Sequence, residues 1–125
     1  MEDFRAQVAK AIRRVQSGVR WKPGKGHRHL AKRIRQGHLP PATTLAEYEA
    51  VILAIISHPD AFVYVYRYGP TDYLTLVAPY EGRIWLAMFS LNGIMETAFP
   101  PDKPDTYFSA DPRYVPVGST REILS

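Results

Sequence analysis

Phe4, Val8, Ile12 and Val15 follow one another at spacings of four, four and three, the repeat that lines side chains up on one stripe of a helix. Arg5, Lys10, Arg13 and Arg14 occupy its other faces, and Gly18 marks its stop. Residues 21–26 mix Pro and two Gly with Lys and read as a basic loop. A short second helix is expected over about 28–36, closed by Gly37 in the left-handed cap position. Thr44 and Glu47 then stand in capping-box relation ahead of Tyr48, Val51, Ile52, Ile55 and Ile56 at helical spacing. That third helix, within 44–58, should end near His58, because Pro59 disfavours helical geometry at the residue before it.

Past Asp60 the pattern changes to β-branched and aromatic residues between turn signals, and predicts four strands, 62–68, 73–78, 83–89 and 94–99. Gly69-Pro70, Glu81-Gly82 and Asn92-Gly93 separate them, and links this short favour an antiparallel meander over parallel crossovers. The remainder, 100–125, carries five prolines among aromatics and is expected to pack irregularly against the sheet. The order is α+β: N-terminal helices packed on a four-stranded antiparallel meander, with no internal repeat, as one domain over 1–125.

Charge adds an asymmetry that the net value of +4 conceals. Residues 1–38 carry 11 Lys and Arg against Glu2 and Asp3, whereas the other 87 residues carry five bases and ten acids. A half-domain this basic points to a polyanionic partner. The longest apolar run, 50–56, is about a third of a membrane span, and the Arg-rich start lacks the apolar core of a signal peptide, so a soluble cytoplasmic chain is expected. With no Cys there is no disulfide framework, thiolate metal site or Cys nucleophile.

Candidate chemistry concentrates on the second helix. At ~100° per residue, Leu30 and Ile34 share the core face, Arg28, Lys32 and Arg35 lie roughly opposite, and His29 and Arg33 fall at the rim between them. His moves protons near neutral pH, and the Arg fork holds phosphate oxygens. Together they suit RNA cleavage without a metal or cofactor: a base deprotonates the ribose 2′-OH, which attacks the adjacent phosphorus while cations hold the phosphoryl charge. The alternative is a solvated, phosphate-binding surface. His27 and His29 form a His-x-His pair, but no acid or Cys nearby completes a metal shell, and no metal is expected. On the last strand, strict alternation puts Ile94, Glu96 and Ala98 on one face and Met95, Thr97 and Phe99 on the other. Thr97 is a candidate donor to phosphate, or an ordinary strand residue. Tyr64, Tyr66 and Tyr68 share a face of the first strand, as core packing or as a base-stacking ladder.

A basic His-Leu-x-x-Arg helix (His29 to Arg33), a Gly-His-Leu-Pro break (Gly37 to Pro40), a Thr-Leu-x-Glu-Tyr helix start and a closing Asn-Gly-Ile-x-x-Thr-Ala-Phe (Asn92 to Phe99) come in this order. Together they resemble the metal-independent toxin ribonuclease superfamily that includes barnase, EndoU, the tRNA-cleaving colicins and RelE-type toxins, with its phage and polymorphic-toxin branches most similar. The resemblance covers roughly 25–100 and implies a toxin-type endoribonuclease acting on tRNA or mRNA, with an acidic antitoxin or immunity protein as partner. It implies His29 as general base or acid, Arg33 as phosphate stabiliser, Thr97 as hydroxyl donor and Lys32 as electrostatic support. Lys25, His27, Arg28 and Arg35 would contact RNA. The chain departs from the pattern at Ile34, where many members carry a second His, so the donor to the leaving oxygen is left among His27, His38 and a polar residue such as Ser90. A non-catalytic nucleic-acid-binding or virion-associated domain is the alternative.

Overall fold

The computed structural model describes residues 3–125; Met1 and Glu2, the head of the basic segment, lie outside the described residues. Helix α1 spans Phe4–Gln16, capped by the Asp3 carboxylate, which accepts from the Ala6 amide at 2.7 Å. Its buried stripe is Val8, Ala11, Ile12 and Val15. Helix α3, Leu45–Ile56, begins with the expected capping box between Thr44 and Glu47. Tyr48, Ile52, Ile55 and Ile56 are each fully buried on it, because α3 lies between the sheet and both other N-terminal helices.

Helix α2 spans Lys25–Arg35, beginning earlier than the glycines suggest. Gly24 supplies a left-handed turn at φ +75°, but Gly26 lies inside the helix. A Cβ on Gly26 would come within 2.9 Å of the Trp21 ring, so this glycine permits close packing instead of breaking the helix. The helix ends as expected at Gly37, φ +75°. The Gly37 amide donates to the Ile34 carbonyl at 3.0 Å and the His38 amide to the Arg33 carbonyl at 2.8 Å, the paired bonds of a Schellman motif.

The architecture is α+β, but the sheet has five strands where four are expected. Strands β1 (Phe62–Tyr68), β2 (Thr71–Tyr80), β3 (Arg83–Ser90) and β4 (Met95–Phe99) form the antiparallel meander. The tail is regular: a short helix α4 (Pro104–Tyr107), strand β5 (Tyr114–Ser119) and helix α5 (Thr120–Leu124). Strand β5 pairs antiparallel with β1, giving the order β4-β3-β2-β1-β5. Pro116 hid this strand, yet an edge strand accommodates proline because half its amides need no ladder partner. Ser119 caps α5 in a second capping box with Glu122.

The two sheet faces differ. Leu74, Leu76, Ala87, Phe89, Val63 and Val65 join the helices in the main core. Leu86, Met88, Phe108 and Tyr114, with half-buried Tyr64, Tyr66, Tyr73 and Phe99 packed on them, form a smaller aromatic cluster on the opposite face. On β4 strict alternation fails. A register shift opposite Met88 and Phe89 lets both Met95 and Ala98 enter the core, while Thr97 and Phe99 line hollows on the outer side.

Candidate functional site

Trp21 is the floor of the site. Its indole stacks on the His29 imidazole at 5.6 Å and 21°, and on Tyr48 at 6.0 Å, while Nε1 donates to Glu49 Oε2 at 2.9 Å. Three elements thereby fix one half-buried histidine: the α1–α2 connection, α2 itself and the start of α3. Tyr48 also donates its hydroxyl proton to the Ala98 carbonyl at 2.6 Å, tying this assembly to β4. Burial holds the Tyr48 hydroxyl well above the ordinary phenol range.

Across from Trp21 stands the last strand of the meander. His29 Nδ1 lies 3.3 Å from Thr97 Oγ1, so two of the sequence candidates 68 positions apart meet. Lys25, one helical turn before His29, forms an ion pair with Glu96 at 2.7 Å. Burial first, then the positive Lys25 and Arg33, hold the His29 pKa below its ordinary value of 6.5. The imidazole is therefore neutral at neutral pH.

Arg33 departs from its expected rim position. It is only 3% exposed, more buried than Ile34 on the helix face assigned to the core. Its guanidinium lies over the Phe99 ring, 5.2 Å from the centroid, and Nη2 donates to Gln36 Oε1 at 3.3 Å. Nε and Nη1 are buried with no hydrogen-bond partner. Arg33, Lys32, Gln36, Thr97 and Phe99 line a hollow of about 230 Å³. A guanidinium that lines a hollow is a candidate contact for an anion.

Two further hollows adjoin it. One of about 640 Å³ shares Gln36 and Phe99 and is lined also by His38, Asp102 and Lys103. The other, about 390 Å³, shares Thr97 and Phe99 and carries five tyrosines. Of the three suggested proton donors, His38 lines the first of these, with Nδ1 buried and unpartnered. Burial and the neighbouring Arg33 lower its pKa. His27 is exposed on α2, and Ser90 Oγ accepts from the Ile94 amide in the β3–β4 turn.

The exposed faces of α2 carry Arg28, Lys32 and Arg35, as expected, while Lys25 is tied to Glu96. Sequence reasoning missed Trp21, Glu49, Gln36, Glu96 and Phe99. Phe99 stood in the closing Asn-Gly-Ile-x-x-Thr-Ala-Phe motif with no role of its own, and Gly26, five residues from Trp21, was the other sign. Among the described residues no three His, Asp or Glu side chains come together as a metal site, and no helix is long and apolar enough to cross a membrane. Comparison with known proteins finds no matching family model, no matching curated protein and no matching solved structure.

Proposed function

We propose that the protein is a metal-independent endoribonuclease of toxin type. The observation that carries the reading is the juxtaposition of a neutral histidine, a strand hydroxyl and an arginine that lines a hollow with that hydroxyl, the histidine and the arginine lying on a helix whose exposed faces are cationic. The scissile phosphate sits on Arg33, with Lys32 adding positive potential and Thr97 donating to a phosphoryl oxygen. Neutral His29 takes the proton from the ribose 2′-OH, whose oxygen attacks phosphorus. The bond to the 5′-oxygen breaks, leaving a 2′,3′-cyclic phosphate and a 5′-hydroxyl. Of the three suggested donors His38 is the one whose hollow shares Gln36 and Phe99 with the Arg33 hollow, and because its pKa is held below 6.5 it must first gain a proton to protonate that oxygen. A small acidic antitoxin or immunity protein is the partner this chemistry calls for in the producing cell.

The test is incubation of purified protein with a tRNA and mRNA pool in EDTA, with end-group analysis of the products. Cyclic phosphate ends, lost in His29→Ala at unchanged fold and RNA affinity, are expected. An intact pool, together with harmless expression in cells, removes the ribonuclease reading. Salt-sensitive binding without cleavage would leave a non-catalytic nucleic-acid-binding domain.

A further inference from the structure

The sheet face that carries Thr97 ends in a row of aromatic rings with no part in the chemistry just described. Tyr66, Tyr68, Tyr73, Tyr107 and Tyr114, with the Glu96 carboxylate, line the 390 Å³ hollow next to Arg33. The rings are held by one another. Tyr66 lies 4.6 Å from Tyr114, and Tyr107 5.7 Å from Tyr114 on the other side of the hollow. Tyr68 is stacked on Tyr66 at 6.2 Å and 16°, and the Arg113 guanidinium sits 5.1 Å from the Tyr66 centroid. Arg113 is itself fixed by two bonds to the Asp111 carboxylate at 2.9 and 3.0 Å. The terminal ring of this stack, Tyr68, is 59% exposed. A rigid exposed aromatic at the end of a cation-backed stack loses little conformational freedom on accepting one more flat ring.

This hollow and the Arg33 hollow have Thr97 and Phe99 in common. Phe99 bears Arg33 on one side at 5.2 Å and meets Tyr107 edge-on at 6.1 Å. Thr97 and Phe99 line both spaces, so a chain with its phosphate on Arg33 continues directly onto the tyrosines. We infer that the tyrosine hollow is a nucleobase subsite, taking an unpaired base of the strand whose phosphate rests on Arg33. Every base presents a π face, so stacking here is tolerant of sequence. A duplex is excluded, because its bases are stacked on each other and their faces are closed. The inference rests on the Arg33 site being a phosphate seat for RNA and adds what lies beside it.

The experiment uses two probes that cannot be cleaved: an eight-nucleotide single strand with 2′-O-methyl riboses, and a spacer strand of equal length and charge without bases. Affinities for wild type, Tyr68→Ala, Tyr68→Trp and Arg33→Met are measured at several salt concentrations. Tyr68→Ala is expected to weaken the base-bearing strand by at least about fivefold, the lower end for loss of one base–aromatic stack. It should leave the spacer strand and the salt slope unchanged, and Tyr68→Trp should restore binding. Arg33→Met weakens both strands. Equal affinity of wild type for the two strands, or equal losses on both in Tyr68→Ala, overturns the base subsite while the phosphate seat stands. If neither strand binds wild type, both are overturned. Tyr68 is exposed, so its variants report on the surface and not on folding.

Discussion

At the scale of single residues the site is built at a cost to stability. Arg33 buries a cation with two donors unmatched, and each unmatched donor costs roughly 1–3 kcal/mol. Methionine fills much of the same space over Phe99 without that cost. Arg33→Met should therefore unfold at higher denaturant than wild type, by about 1–3 kcal/mol, while losing affinity for RNA; a destabilised variant would mean that the guanidinium is matched in solution. His29 makes a second prediction, in pH. Its folded pKa, like that of His38, is held below 6.5, so below that value the unfolded chain binds protons that the folded chain refuses. Stability is then fully present above about pH 6.5 and declines as pH falls toward the folded pKa values. His29→Gln should flatten part of that decline in a series of denaturant titrations. Cleavage should lose rate over the same acid range as the base becomes protonated.

At the scale of elements, what could be read from the chain and what could not separate along one physical line. Periodicity and caps report local preference, and they located α1, α3, the hairpins and the Gly37 stop. Features set by neighbours distant in sequence left no such mark. Gly26 looks like a helix breaker until Trp21 is seen against it, β5 looks like a proline-rich tail until β1 offers it a ladder, and Arg33 looks amphipathic until Phe99 covers it. Likewise the β4 alternation holds only until the shift opposite Met88 returns Ala98 to the core. His29, Arg33 and Thr97 were legible as residue types at suggestive positions, whereas the stack that orients them was not. Gly26→Ala tests that stack. Alanine gains up to about 1 kcal/mol in helix propensity over glycine, but its Cβ would fall 2.9 Å from the indole, and overpacking of this kind costs about 1–3 kcal/mol. The clash should win. The variant is expected to be less stable and, with Trp21 displaced, its His29 should titrate closer to 6.5 in proton NMR, where a helix merely improved by alanine would leave that titration in place.

At the scale of the whole molecule, seven of the 11 Lys and Arg in the first 38 residues divide into two groups. One holds the fold together. Arg5 donates to the Glu122 carbonyl at 3.0 Å and Arg13 to the Leu124 carbonyl at 3.0 Å, so α1 supplies donors to the free end of α5. Arg14 donates to the Asn92 carbonyl at 3.2 Å beside Gly93, and Lys25 neutralises Glu96. The other group, Arg28, Lys32 and Arg35, lies exposed on α2, the helix that carries Arg33. Counting basic residues thus overstates the cationic surface open to a polyanion. If the division is right, removing the α2 charges as Arg28→Gln, Lys32→Gln and Arg35→Gln should flatten the dependence of affinity on salt. Each lost phosphate contact lowers the log–log slope by about 0.7 on a single strand. The pair Arg5→Gln and Arg13→Gln removes two positive charges from the same segment where the α2 set removes three. It should leave the slope alone and instead loosen α5, at up to roughly 1 kcal/mol for each lost cation at a helix C-terminus. Equal flattening by both sets would show that RNA responds to the net charge of the segment, and that the arrangement of cations around Arg33 confers no path along the surface.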